Sequence, residues 1–303
     1  MSLTEASPLR APLSPKFSWS AVSRLIRLPN QSGTFLLMLP TLWSLVLASR
    51  GQPSLKLLAI FVAGSFLMRS AGVVLNDIAD RSFDQKVSRT QSRPLATGEI
   101  TVPQALSVAA LLIAAAAGLV LLLNPLTILL SPIALALAAL YPFAKRAVHI
   151  PQAVLGIAFG WGTVMAWAAS RGSLETPAWC LFGATICWAV AYDTIYAIQD
   201  REDDRRIGVK SSAILFGPHT WWGVGVCLVG MLVLLAIAGI FTDAGVLYFG
   251  ALIGAGGLFL SQVGRLRGTI MPQTAFAMFT QHVWIGWMIL LGTVLGFVST
   301  LFS

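Results

Sequence analysis

Eight of the 12 acidic residues in this 303-residue chain fall in two short segments. The first holds Asp77, Asp80 and Asp84 at i, i+3 and i+7, with Asn76 four before Asp80. The second holds Asp193, Asp200, Glu202, Asp203 and Asp204, and Asp193, Tyr196, Asp200 and Asp204 continue the same spacing. On a helix such residues share a face, so each segment presents an acidic stripe. Carboxylates packed this closely repel one another unless a cation intervenes. Oxygen-only ligands suit Mg²⁺, which takes one or two carboxylates and completes its shell with water and phosphate oxygens. Asp77, Asp80, Asp84, Asp200 and Asp204 are the candidate metal residues, acting through a bound diphosphate. Charged helix ends that only set topology would not need this matched spacing.

The two segments also resemble each other. "DRSFDQK" from Asp80 and "DREDDRR" from Asp200 share D-R-x-x-D at an offset of 120 residues. A four-helix unit repeated in tandem over 32–150 and 151–263, followed by a ninth helix over 275–301, would produce that offset and bring two acidic helix ends to one cavity.

The elements that must position these stripes are apolar. The chain is 56% hydrophobic and 11% charged, with a mean hydropathy of +0.79, where a soluble domain is about a quarter charged. Nine runs approach the ~20 residues that cross a hydrocarbon core: 32–50, 55–75, 104–123, 125–141, 151–169, 177–199, 219–240, 244–263 and 275–301. The expected fold is all-α, a polytopic membrane bundle of about nine helices around a central cavity that opens near the cytoplasmic side. Residues 1–31 are polar and proline-containing, contain no secretory core, and read as a cytoplasmic tail preceding a single domain at 32–303.

The net charge of +8 does not indicate nucleic acid, because the basic residues share no soluble face. They follow topology instead. With the N-terminus inside, every one of the 20 Lys and Arg except Arg50, Lys56, Arg171 and the intramembrane Arg69 lies on the cytoplasmic side. Both aspartate-rich segments are then cytoplasmic, in a bacterial plasma membrane or a mitochondrial inner membrane. Cys180, Cys187 and Cys227 lie inside spans with neither metal nor disulfide spacing, and the three histidines are scattered.

Several cations are candidate substrate contacts. Arg69 lies eight residues before Asp77 on the same face, ~12 Å deeper at 1.5 Å per residue. An intramembrane charge normally faces a partner or a watery cavity. Arg69 would therefore pair with an aspartate, clamp a diphosphate, or clamp an acceptor carboxylate. Lys145 and Arg146 close the fourth span, where cations also complement the helix dipole. Arg93 and Lys210 lie on the two cytoplasmic loops, placed either to close over a diphosphate or to meet anionic lipid.

"NDIADRSFD" resembles the first aspartate-rich motif of the UbiA family of intramembrane prenyltransferases, N-D-x-x-D-x-x-x-D, and "YDTIYAIQDREDD" resembles the second, D-x-x-Y-A-x-x-D-x-x-x-D. The likeness extends to "LMRSAG", "SRPLATG", "YPFAKR", "HIPQAVLGIAFGW" and "IGVKSSAILFG". Among family members, these segments are most similar to those of the ubiquinone pathway. That implies Mg²⁺-dependent transfer of a polyprenyl group from polyprenyl diphosphate to the ring carbon ortho to the hydroxyl of 4-hydroxybenzoate. By the same resemblance Asn76, Asp77, Asp80 and Asp84, then Asp193, Tyr196, Asp200 and Asp204, take the motif positions, and Arg146 matches a functional basic position. Arg27 matches an arginine followed in the family by Asp-Lys-Pro, where this chain has "RLPNQSG". Related acceptors, such as dihydroxynaphthoate, homogentisate, haem or chlorophyllide, would share both motifs. A cation transporter would need polar residues along the full membrane depth, and the acids here gather at one rim.

Overall fold

A computed structural model describes residues 18–300. Fourteen α-helices follow one another: α1 (Trp19–Leu25), α2 (Ser32–Ala48), α3 (Leu55–Ala79), α4 (Arg81–Asp84), α5 (Pro94–Thr97), α6 (Val102–Val120), α7 (Pro125–Ala147), α8 (Pro151–Arg171), α9 (Thr176–Ala197), α10 (Arg201–Ile207), α11 (Ser212–Phe216), α12 (Thr220–Phe241), α13 (Val246–Arg265) and α14 (Pro272–Thr300). No strand occurs among the described residues. In hydrocarbon a backbone must satisfy its own hydrogen bonds, and helices do so within one segment.

Eight of these helices are long and apolar enough to cross a membrane, and α2, at 17 residues, is a shorter apolar helix. Together they occupy the nine runs read from the sequence. The central core lies among α2, α8, α9, α12, α13 and α14, where Trp43, Trp167, Trp188, Tyr192 and Tyr248 are almost fully buried. Outside it, α6 and α7 turn large apolar side chains such as Leu111 and Leu129 outward, the expected dress of a lipid-facing helix. Neighbour relations recur four spans apart: α2 packs on α3 as α8 does on α9, α3 on α6 as α9 on α12, and α7 on α8 as α13 on α14.

Small residues set the closest crossings. A Cβ on Gly156 of α8 would lie 2.7 Å from the Cα of Ile186 on α9, so glycine lets the two backbones meet, as is usual between membrane helices. Gly156→Val should cost about 1–3 kcal/mol, the typical penalty of overpacking, read as a fall in the unfolding midpoint in detergent. An unchanged midpoint would show that the crossing yields freely.

Residues 19–25, within the stretch expected to be tail, form α1. Its Ala21 and Leu25 are buried against Val74 of α3, Leu95 and Ala105 in a small separate core beside the aspartates. The first motif is therefore braced from the N-terminal side. At the other end of the intervening loop, Thr101 caps α6 reciprocally with Gln104.

Candidate active site

The face of α3 that carries Asn76 and Asp77 continues down the helix through Val73, Gly72, Arg69 and Met68, and all of these line one cavity. The helix stops at Ala79, Asp80 caps it, and α4 restarts at Arg81. Asp77 is 1% exposed and receives two arginines. Arg27 Nη2 donates to its Oδ1 at 2.9 Å and to its Oδ2 at 2.8 Å. Arg93 Nη1 bridges Asp77 Oδ1 at 3.0 Å and Asp84 Oδ2 at 2.8 Å. Asn76 Nδ2 donates to Asp80 Oδ2 at 3.1 Å.

Arg27 reaches Asp77 from a strained turn. Its φ is 60°, a left-handed conformation costing a residue with a Cβ roughly 1–2 kcal/mol. The segment that departs from the family pattern holds that turn, with Gln31 Nε2 donating to the Arg27 carbonyl at 2.8 Å and Thr34 Oγ1 donating to Gln31 Oε1 at 2.6 Å. Burial draws the Arg27 guanidinium below its ordinary value, with Asp77 opposing the shift.

The second motif does not lie on one continuous helix, as its spacing suggested. α9 ends at Ala197, Ile198–Asp200 form a 3₁₀ turn, and α10 begins at Arg201. Tightening of this kind is common at helix ends, where carbonyls lose their i+4 partners. Even so, Asp193, Tyr196, Asp200 and Asp204 all line the same cavity. Arg89 ties this segment across from the first loop. Its Nε and Nη2 donate to the two Asp200 oxygens at 2.9 and 2.6 Å, and its Nη1 to the Tyr196 hydroxyl at 2.9 Å. Its guanidinium also lies 5.2 Å from the Tyr196 ring centre. Burial opposes the Arg89 charge, but the hydrogen bonds to Asp200 and the neighbouring negative groups outweigh it, so its pKa stands above the ordinary arginine value.

The cavity has a volume of about 600 Å³ and draws walls from α2, α3, α6, α7, α8 and α9. Its rim is charged and its depth apolar. Asp80 and Asp84 face a much smaller pocket of about 70 Å³ behind the rim, shared with Arg89, Arg93, Asp200 and Asp204. Among the described residues Arg69 makes no salt bridge, and its buried Nε has no hydrogen-bond partner. The Tyr192 hydroxyl is likewise buried without a partner, and both residues line the cavity. Tyr192 is held edge-on by Trp188, at 5.4 Å between ring centres, and by Phe279 at 5.9 Å.

The structure thus brings Arg27, Arg69, Asn76, Asp77, Arg93, Asp193, Tyr196, Asp200, Asp204 and Lys210 to one cavity. Lys210 Nζ also donates to the Ala147 carbonyl at 3.3 Å. Lys145 and Arg146 fall in the last turn of α7, and their side chains lie outside the described residues. Sequence reasoning missed Tyr192, and it missed the reach of Arg89 across to the second motif. Arg89 was one cation among several in a basic loop. Tyr192 precedes the motif aspartate near a span end, where tyrosines more often belong to the interfacial belt.

A divalent cation fits this donor set in one mode. Asn76 Oδ1 is a buried acceptor without a partner, and the converging side chains are oxygen donors. Among the described residues no group of three or more His, Cys, Asp or Glu could hold a metal ion. Carboxylates drawn from both motifs, with phosphate oxygens completing the shell, match the habit of Mg²⁺.

Residues 37–279 match the UbiA prenyltransferase family. The chain belongs to that family. It is 47% identical, over 97% of its own length and 98% of the relative's, to a 4-hydroxybenzoate octaprenyltransferase from Pseudomonas aeruginosa. It is 48% identical to the enzyme of the same name from Pectobacterium carotovorum, over 92% of this chain and 96% of that one. Among solved structures, a UbiA homologue from Aeropyrum pernix K1 superposes with a TM-score of 0.71 at 24% identity, covering 88% of this chain and 98% of the other. A UbiA homologue from Archaeoglobus fulgidus bound to GPP and Mg²⁺ gives 0.62 at 17% identity, covering 89% and 99%. UbiA membership and the apolar helices make this an integral membrane protein.

Proposed function

We propose that this UbiA member transfers a polyprenyl group from polyprenyl diphosphate to the ring carbon ortho to the hydroxyl of 4-hydroxybenzoate, releasing diphosphate, as a step of ubiquinone biosynthesis. The observation that carries the reading is the meeting of two aspartate-rich helix ends, bridged by arginines, at the mouth of one deep apolar cavity. The near full-length likeness to 4-hydroxybenzoate octaprenyltransferases supports the choice of acceptor.

The prenyl tail lies in the apolar depth and the diphosphate at the rim, on the cytoplasmic side of a bacterial plasma membrane. Asp77, Asp80, Asp84, Asp200 and Asp204 would hold Mg²⁺ together with the diphosphate, and the ion when bound would supply Lewis-acid stabilisation of the departing oxygen. Before substrate arrives, Arg27, Arg89 and Arg93 balance the carboxylates. Arg89 and Arg93 also line the cavity, so on substrate binding the same guanidiniums and Lys210 are placed to meet phosphate oxygens, and their fixed charge lowers the barrier to ionisation. The bond from the prenyl C1 to oxygen breaks with its electron pair on the diphosphate. The ring carbon bonds to C1, and the ring then loses a proton. Arg69 and Tyr192, with polar atoms unsatisfied in the wall below the rim, bind the acceptor's polar groups.

Membranes carrying the protein, given Mg²⁺, a polyprenyl diphosphate and 4-hydroxybenzoate, should yield the 3-polyprenyl product by mass spectrometry, with loss of yield on chelation. Product from dihydroxynaphthoate or homogentisate, and none from 4-hydroxybenzoate, would reassign the acceptor.

A further inference from the structure

Where the prenyl tail runs is written in the small residues of α3. Its cavity face includes Ile60, Gly64, Arg69, Gly72, Asn76 and Asp77. At 1.5 Å per residue, Gly72 lies ~8 Å below Asp77, Gly64 ~20 Å and Ile60 ~26 Å. Both glycines line the cavity, and a Cβ built on either meets no atom within 4 Å. They differ in this from Gly156, whose missing side chain makes room for a neighbouring helix. The space beside Gly64 and Gly72 belongs to the cavity.

Polar and apolar walls separate with depth. Tyr192 and Asp193 line the cavity from α9 and act electrostatically on Arg69, whereas Val120 of α6 and Leu123 pack with Phe61, toward the start of α3. α6 and α7 both line the cavity, and each packs more closely on α3 than on the other. An isoprene unit adds four carbon bonds of ~1.5 Å, about 5 Å when extended. By that measure Gly64 stands beside about the fourth unit from the diphosphate, and a chain of eight units, roughly 40 Å long, outruns the ~26 Å of lined depth.

We infer that Gly64 is a specificity-determining residue for donor length: its missing side chain keeps the tail channel open past the fourth isoprene unit, so that long polyprenyl diphosphates seat as well as short ones. The inference rests on the proposed transfer reaction. It assigns different roles to the two glycines, since a side chain at position 72 would obstruct every donor and one at 64 only those longer than about three units.

Gly64→Phe and Gly72→Phe are assayed with 4-hydroxybenzoate against geranyl and octaprenyl diphosphate, with unfolding midpoints in detergent confirming that each variant is folded. In Gly64→Phe the ratio of octaprenyl to geranyl kcat/KM should fall about 10- to 100-fold, the scale on which pocket sterics discriminate. In Gly72→Phe both rates should fall together. If Gly64→Phe is unstable, Ile60→Phe at the deeper level carries the same expectation of a lowered ratio. An unchanged ratio in folded Gly64→Phe, or equal loss of both donors there, overturns the assignment. Wild-type protein that prenylates 4-hydroxybenzoate from neither donor overturns the proposed reaction instead.

Discussion

Asp200→Asn should lower turnover by about 10²- to 10³-fold, the scale seen when one preorganised electrostatic group is removed from a reaction centre, while the protein should still accumulate in the membrane. Both halves of that outcome follow from where Asp200 sits. Its side chain is 16% exposed at the rim and its partner Arg89 is 38% exposed, so an unpaired Arg89 can turn to water and the fold survives. Asp77 is different. It is 1% exposed between Arg27 and Arg93, and breaking a buried pair of that kind costs about 3–5 kcal/mol, so an Asn there would confuse catalysis with folding. The asparagine at 200 keeps the shape and one acceptor oxygen but loses the charge that draws a divalent cation. The loss should therefore appear in kcat and in the Mg²⁺ concentration for half-maximal rate. Mn²⁺ binding in the presence of diphosphate, followed by electron paramagnetic resonance, should weaken in parallel. Wild-type turnover in Asp200→Asn would remove this residue from the metal site and leave it only as a counterion of Arg89.

The contrast between Asp77 and Asp200 also marks what could be read before any coordinates. Nine apolar runs and two motifs announce themselves locally, because a span needs about 20 apolar residues in succession and the acids repeat within one or two turns. Pairings between distant residues do not. Arg27 and Asp77 are 50 residues apart, and Arg89 and Asp200 are 111 apart, and nothing in a basic loop says which arginine crosses the cavity. α1 is short and begins in a polar segment, so its buried Ala21 and Leu25 gave no periodic signal long enough to trust. The breaks at Asp80 and at Ile198–Asp200 were invisible for the opposite reason: the i, i+3, i+7 spacing fits an unbroken helix equally well. His282 shows the same limit in the core. It looked like a scattered histidine, yet it is fully buried and accepts a 2.8 Å hydrogen bond from Trp188 Nε1, which in turn packs on Tyr192.

Arg69 was the residue left most open by spacing alone, and its surroundings now favour one of the three roles. An ion pair with an aspartate is not formed among the described residues, and Nε is buried without a partner. A diphosphate clamp would sit with the metal residues, and Arg69 lies two turns below Asn76 and Asp77 on α3, ~12 Å from the level of Asp77, beyond the arginines that occupy the rim. Gly33 of α2 leaves room for the guanidinium, since a Cβ there would come within 2.6 Å of Nη2, and Tyr192 offers a second unsatisfied polar atom in the same cavity. A carboxylate reaching this depth meets a preplaced, buried cation, and charge-assisted hydrogen bonds of that kind are strong. Truncating one member of such a pair costs about 2–5 kcal/mol, so Arg69→Leu should lower kcat/KM for 4-hydroxybenzoate by about 30-fold or more, at 1.4 kcal/mol per tenfold. Most of the change should fall on the acceptor KM, with the donor KM little altered. The decisive comparison uses 4-hydroxybenzamide, which keeps the phenol and removes the carboxylate charge. If Arg69 binds that carboxylate, the preference of the wild type for the acid over the amide should largely vanish in Arg69→Leu, because the leucine wall favours neither charge. If both acceptors fall by the same factor and the donor KM rises, Arg69 acts on the diphosphate side instead.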